Sequence, residues 1–163
     1  MTFDKRTKAF VIAMIALLLT ASLLTAQPRF RRGGADAMQN GFYTAEARDF
    51  DEKGWKEYVT IYVLNNAIVT VDYNAKNASG FIKSWDMEYM RLMNESEGTY
   101  PNKYTREYAE ALLNRQDPER VDAVSGATHS HASFQRLVKA AMEQARLGNP
   151  NIIYVDSAAG SGR

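Results

Sequence analysis

The sequence predicts an α+β fold, with helices packed on a mainly antiparallel sheet and one N-terminal hydrophobic signal or anchor segment. Strand patterns come first along the chain and helical patterns follow, an order typical of this class. The 163 residues are 45% hydrophobic and 24% charged, as expected of one folded domain. We divide the chain into a signal peptide or membrane anchor (1–26), a flexible tether (27–40), a folded domain (41–156) and a disordered tail (157–163).

The N-terminal segment predicts export. Lys5, Arg6 and Lys8 precede an uncharged run from Ala9 to Ala26, a pattern typical of signal peptides and membrane anchors. Its length lies between that of a signal-peptide core and the about 20 residues that span a bilayer, so both interpretations stay open. A buried core helix is the structural alternative. We expect the folded domain to lie outside the cytoplasm, either membrane-anchored or secreted.

Alternating side chains predict the strands of the sheet. Residues 57–64 and 67–73 alternate between two faces, and a further strand is expected over residues 42–48. Asn65 and Asn66 separate the first two of these runs, and both can adopt the positive φ values of a tight hairpin turn. Residues 152–155 are expected to add a short edge strand.

The hydrophobic period changes from two to 3.6 residues after Trp85, which predicts three helices. The first begins near Asp86, the second ends before Pro118, and the third ends at Gly148. The apolar positions that define them are Tyr89, Met90 and Met93; Tyr104, Tyr108, Ala111 and Leu112; and Phe134, Leu137, Val138, Ala141, Met142 and Ala145.

Charge and cysteine content exclude several functions. Lys and Arg number 20 against 19 Asp and Glu, so the net charge of +1 disfavours nucleic acid as a partner. The sequence contains no cysteine, which excludes disulfides, thiolate metal sites, iron–sulfur clusters and cysteine catalysis. His129 and His131 diverge on a helix, so no metal site is expected there. Any redox chemistry must come from a bound cofactor.

The strongest functional indication is the segment DAVSGAT, residues 122–128, which precedes the third helix. Ser125 is suited to the N-cap position. Gly126 and Ala127 leave the first N–H groups of the helix accessible, so a phosphate would meet its positive end. Capped helix starts are common, and this pattern alone leaves a simple helix cap as the alternative.

DAVSGAT resembles the Asp-x-x-Ser/Thr-Gly-Ala-Thr motif of the FMN-binding domain family. That family includes subunits of the sodium-pumping NADH:quinone reductase and Rnf complexes, and exported flavoproteins of extracellular electron transfer. The similarity covers about residues 40–147 and is greatest to the exported Gram-positive branch. Besides the motif it includes Gly41-Phe42-Tyr43-Thr44, Gly54-Trp55, the hairpin, Tyr89-Met90, Tyr100-Pro101 and the helix of Phe134.

The resemblance implies that FMN is joined to Thr128 through a phosphoester bond, made outside the cytoplasm by a flavin transferase. It implies that Asp122 belongs to the signature on which the transferase acts, although a loop or cap carboxylate is the alternative. The implied cofactor-binding residues of the motif are Asp122, Ser125, Gly126, Ala127 and Thr128. Tyr89 and Met90, with Met93 and Trp85, are candidate walls for the flavin ring, although each also suits a core position.

The expected function is therefore that of an electron-transfer flavoprotein more than a stand-alone enzyme. It would relay electrons between a membrane dehydrogenase or quinone pool and an extracytoplasmic acceptor. The alternatives are an extracytoplasmic flavin reductase module, and a non-redox binding or assembly module in which residues 125–128 only cap a helix. The expected partners are the flavin transferase, the membrane donor, and the membrane itself through the N-terminal segment.

Overall fold

The computed structural model describes residues 36–156 and confirms the α+β class. Its strands are β1 (Gly41–Ala47), β2 (Lys56–Leu64), β3 (Ala67–Lys76) and β4 (Ile153–Val155). Its helices are α1 (Met87–Glu97), α2 (Pro101–Arg115) and α3 (Thr128–Leu147), with 3-10 helices at Lys83–Trp85 and Pro118–Arg120. Within residues 36–156 no helix is both long and apolar enough to cross a bilayer. The predicted export segment (1–26), residues 27–35 of the predicted tether and the predicted tail (157–163) lie outside the described residues.

The four strands form one sheet in the order β3-β2-β1-β4. β2 pairs antiparallel with both β1 and β3, in agreement with the predicted mainly antiparallel sheet, and β4 lies parallel to β1 at the far edge. The Gln39 N–H donates to the Ala145 carbonyl at 2.8 Å, so α3 ends beside the start of β1. The chain must then turn back, which gives β4 the same direction as β1.

The predicted hairpin between β2 and β3 is confirmed. Asn65 and Asn66 have φ values of 53° and 65°, and two successive left-handed residues are what a two-residue type I′ turn requires. The turn also holds the segment before β1: Asn66 Oδ1 accepts from the Met38 N–H at 2.8 Å, and Asn40 Oδ1 accepts from the Asn65 N–H at 2.7 Å. Residues 38–40 are therefore bound to the folded domain.

One face of the sheet is buried beneath α2 and α3. β2 contributes Val59, Ile61 and Val63, whose alternation matches the predicted strand. The predicted helical spacing is also confirmed, since every apolar position named for the third helix is buried. The helical core residues are Tyr104, Tyr108 and Leu112 of α2, and Phe134, Leu137, Val138, Ala141, Met142 and Ala145 of α3.

Gln116 closes part of the free edge of β3. It follows α2 with a left-handed φ of 58°, which turns its side chain amide toward the strand. Its Oε1 accepts from the Ile68 N–H at 2.8 Å and its Nε2 donates to the Ile68 carbonyl at 2.9 Å. Further along the same strand, Lys76 forms an isolated β-bridge with Ile82. The edge is thus paired at both of these places.

Helix α1 lies beside the core and contributes no buried residue to it. It is defined by its ends: Asp86 Oδ1 accepts from the Tyr89 N–H at 2.9 Å, and Gly98 is left-handed at the C-cap. Tyr89, Met90 and Met93 are only half-buried. The apolar side of α1 therefore remains partly accessible.

Replacing Leu112 by Ala is expected to lower the free energy of unfolding by about 2–5 kcal/mol, because the fully buried side chain would leave a cavity. Leu113→Ala is the matched control. Leu113 is the next residue of α2 and is 36% exposed, so the same change should cost less than about 1 kcal/mol. Urea unfolding followed by circular dichroism measures both, and equal losses would contradict this packing.

The free energy of unfolding is expected to fall at alkaline pH, in part through Tyr58. Burial, reinforced by the Asp72 carboxylate, raises the pKa of Tyr58 to about 12, against about 10 in an unfolded chain. The folded protein then holds the phenol proton more tightly, so this contribution to stability is full below about pH 10 and is lost toward about pH 12. Tyr58→Phe should reduce the loss of unfolding free energy over that range, measured by urea titration. Burial also raises the pKa of Tyr73 and Tyr104, so part of the loss should remain. An unchanged pH dependence in the variant would refute the assignment.

Candidate functional site

The predicted motif forms the loop that leads into α3. The helix begins at Thr128 with Ala127 at the N-cap position, and no side chain caps it. The prediction that Ser125 is the N-cap is therefore wrong. Ser125 and Gly126 instead form a turn in which the Ala127 N–H donates to the Val124 carbonyl at 3.0 Å. This turn reverses the chain before the helix starts and leaves Ser125 outside the first helical turn.

Gly126 is required by both conformation and space. Its φ is 76°, a value that L-residues with a side chain rarely adopt. A Cβ atom here would lie 2.5 Å from the Glu97 carbonyl oxygen at the end of α1, far inside a van der Waals contact. The loop is thus seated directly against α1. Thr99, two residues beyond Glu97, is buried, and its hydroxyl has no hydrogen-bond partner among the described residues.

Tyr108 of α2 holds the loop from inside the core. Its hydroxyl accepts from the Val124 N–H at 3.1 Å and donates to the Ala127 carbonyl at 3.1 Å. Burial raises the pKa of Tyr108, so the hydroxyl keeps the proton that it donates. The helical spacing predicted a core position for Tyr108 but gave no indication of this second role.

His131 fixes the start of the loop. Its Nε2 lies 2.6 Å from the Val121 carbonyl oxygen, an arrangement in which Nε2 carries the proton and donates it. His129 is exposed. Within residues 36–156, no group of three or more His, Asp or Glu side chains is placed to hold a metal ion.

The start of α3 presents an exposed hydroxyl beside free N–H groups. Thr128 is exposed, and its side chain makes no hydrogen bond within the described part of the chain. The N–H groups of Thr128, His129 and Ser130 have no acceptor there either; His131 is the first to join the helical pattern, donating to the Ala127 carbonyl at 2.9 Å. Such N–H groups, with the positive end of the helix dipole, form a favourable site for an anion.

Asp122 lies in the exposed part of the loop. Among the described residues its carboxylate takes part in no hydrogen bond and no ion pair. It precedes the turn at Ser125 and Gly126 and is not part of the first turn of α3. Asp122 therefore does not hold the loop in place, and its carboxylate is accessible from outside.

A polar cluster links the first turn of α3 to the sheet. The Tyr73 hydroxyl lies 2.8 Å from Glu57 Oε1 and 2.9 Å from the Ser130 carbonyl oxygen, and these two acceptors share its single proton. Burial and then the Glu57 charge raise the pKa of Tyr73 well above its usual value. Burial likewise raises the pKa of Tyr104, whose ring lies 6.0 Å from that of Tyr108 between centroids. Tyr73 therefore connects the start of α3 with the sheet.

The predicted ring-wall residues divide into two groups. Tyr89 and Met90 lie half-buried on α1, and the Tyr89 ring meets Trp55 edge-on at 5.9 Å between centroids. Met93 packs against the core from the same helix. Trp85 lies apart from them: it is 65% exposed and lines a cleft of about 230 Å³ between β3 and α2. No residue of the loop before α3 lines that cleft.

These residues fit a cofactor that carries both a phosphate and an aromatic ring system. The free N–H groups at the start of α3 suit phosphate oxygens. The partly accessible apolar side of α1, backed by the buried Trp55, suits a planar ring. The close approach of Gly126 to Glu97 sets the loop before α3 against the end of α1, so the two regions adjoin.

Comparison with known proteins is consistent with a cofactor that carries a phosphate and an aromatic ring system. A family described as FMN-binding domain matches residues 54–143. The 15 kDa lipoprotein of Treponema pallidum (strain Nichols) is 42% identical over 117 residues, which is 72% of this chain and 83% of that protein. A crystal structure of a Clostridium perfringens protein is similar, with a TM-score of 0.70 and 28% identity, covering 73% of this chain and 98% of the other.

Replacing Tyr108 by Phe is expected to lower the free energy of unfolding by about 1–3 kcal/mol, because the Val124 N–H and the Ala127 carbonyl lose their partner. Urea unfolding measures this loss, and hydrogen exchange should show faster exchange at the Val124 amide. Tyr62→Phe is the control. Tyr62 is half-buried and its hydroxyl makes no hydrogen bond within residues 36–156, so stability should change by less than about 0.5 kcal/mol. Unchanged stability and exchange in Tyr108→Phe would show that the hydroxyl does not hold the loop.

Proposed function

Because the chain belongs to the FMN-binding domain family and is therefore a flavin-binding protein, we propose that it is an exported flavoprotein with FMN attached covalently to Thr128. In this proposal it relays electrons between a membrane dehydrogenase or quinone pool and an extracytoplasmic acceptor. The observation that carries the proposal is the exposed Thr128 hydroxyl at the open N-terminus of α3.

The attachment is a phosphoryl transfer to a threonine oxygen. The Thr128 hydroxyl forms the new P–O bond with a flavin dinucleotide held by a flavin transferase. The pyrophosphate bond of that donor breaks, a nucleoside monophosphate leaves, and the hydroxyl proton passes to the transferase. The free N–H groups of Thr128, His129 and Ser130 are then available to the phosphate oxygens. Asp122, exposed and without a partner in the described chain, is available for recognition by the transferase.

The remaining residues position the cofactor. Bound FMN supplies the reversible redox chemistry, which no side chain of this cysteine-free protein provides. Tyr89 and Met90 of α1 and the neighbouring Trp55 offer apolar contact and exclude water from one side of the ring. Gly126 and Tyr108 keep the attachment point fixed relative to α1. A covalent bond also prevents loss of the cofactor outside the cytoplasm.

Export is supported by two observations. The uncharged run from Ala9 to Ala26 follows three cationic residues, and the Treponema pallidum relative is named a lipoprotein. The present sequence has no cysteine to carry a lipid of that kind. If the protein is anchored, the uncharged run itself is the anchor that we propose.

The attachment is tested by producing the full chain with a flavin transferase. After denaturation, flavin fluorescence should remain with the wild-type polypeptide, and the intact mass should rise by one FMN group. Thr128→Ala should lose both signals, because no oxygen remains to form the ester. Its free energy of unfolding should change by less than about 0.5 kcal/mol, since the side chain is exposed.

Thr70→Ala removes another exposed threonine, on β3, and should retain the flavin. Covalent flavin in Thr128→Ala would show that the bond lies elsewhere.

The electron relay is tested by adding flavin-loaded protein to membranes that contain a respiratory dehydrogenase. Its flavin absorbance should bleach with NADH and recover with an external acceptor, whereas Thr128→Ala should show no such change.

A further inference from the structure

Lys83 is a mostly enclosed lysine whose ammonium lies beside the aromatic side chains proposed to contact the flavin ring. The residue is only 6% exposed. Its Nζ lies 5.0 Å from the centroid of the Tyr89 ring and 5.8 Å from that of Trp55. Among the described residues, no carboxylate lies within 4.0 Å of this ammonium and no side chain or carbonyl accepts a hydrogen bond from it. The Nζ atom itself reaches the surface, so the ammonium keeps contact with water.

The backbone around Lys83 is fixed to the sheet. Ile82, just before it, forms the β-bridge with Lys76. Ser84, just after it, accepts a hydrogen bond from Asn74 Nδ2 at 2.8 Å. Lys83 is therefore held between two attachments to β3, unlike a lysine on a flexible surface loop.

Within the described residues, the partners of this ammonium are the two aromatic rings. Cation–π attraction is weaker than pairing with a full negative charge. No described protein group supplies a negative charge to this ammonium. A ligand beside Tyr89 and Trp55 would meet the ammonium at this position.

We propose that Lys83 contacts the FMN ring and stabilises the negative charge that the ring acquires on reduction. The inference rests on the proposed function, because Tyr89 belongs both to the surroundings of Lys83 and to the proposed ring wall. Uptake of two electrons and one proton by the oxidised ring leaves one negative charge on it. A nearby ammonium stabilises this charged form over the neutral oxidised form. Lys83 therefore raises the midpoint potential of the flavin.

Lys53 provides a matched control on the same ring. Its Nζ lies 5.8 Å from the Tyr89 centroid, but the residue is exposed. Water and salt screen an exposed charge much more strongly than a buried one. Removing Lys53 should therefore change the potential much less than removing Lys83.

The experiment uses the full chain loaded with flavin by the transferase, with intact mass measured for every variant. Midpoint potentials are obtained by spectroscopic titration with dithionite and a reference dye. Lys83→Met should weaken the stabilisation of reduced flavin relative to oxidised flavin by about tenfold. For a two-electron couple this lowers the midpoint potential by about 30 mV. Lys83→Arg should keep most of the wild-type potential, and Lys53→Met should lower the potential only slightly.

Loaded Lys83→Met with the wild-type potential would overturn the role of Lys83 alone, whereas wild-type protein without covalent flavin would overturn both proposals.

A second measurement avoids any variant at Lys83. Lysines of the loaded wild type and of flavin-free Thr128→Ala are labelled with a small amine reagent and mapped by mass spectrometry. Lys83 should be labelled more slowly in the loaded protein, because the ring covers its ammonium, while the exposed lysines of α2 and α3 should react equally in both. Equal labelling of Lys83 in the two proteins would overturn the proposed contact even if Lys83→Met fails to fold.

Discussion

The hydroxyl of Tyr108 joins the hydrophobic core to the loop that starts α3, through hydrogen bonds with the Val124 N–H and the Ala127 carbonyl. The ring itself is held in the core, stacked on Phe134 at 5.4 Å between centroids. An ordinary core tyrosine thereby sets where the helix begins. The position of the exposed Thr128 hydroxyl, and with it the proposed attachment of FMN, depends on this link.

The two parts of the candidate site differ in how firmly they are held. The start of α3 is fixed by buried groups and by the close approach of Gly126 to Glu97. Helix α1 has no buried residue, and it offers Tyr89 and Met90 as a partly open apolar surface. A fixed attachment point combined with an accessible wall suits a cofactor that is added after the domain has folded.

The sheet and helices were predictable because their signals are local. Alternation indicated β2 and β3, two asparagines indicated the turn between them, and a 3.6-residue period indicated α3. The cap at Ser125 was predicted wrongly because the turn at Gly126 depends on Glu97, which is distant in the sequence. Likewise, the partners of the Tyr108 hydroxyl and the burial of Lys83 arise from elements brought together only in the folded chain. Such tertiary contacts leave no periodic pattern.

The side chain of Gln116 acts at β3 in the way that one more strand would. Its amide satisfies both backbone groups of Ile68, which would otherwise be open to a strand from another molecule. Exposed strand edges promote intermolecular pairing and aggregation. In the proposed membrane-tethered form, copies of the protein would meet one another, and this amide keeps that stretch of the sheet from pairing with another copy.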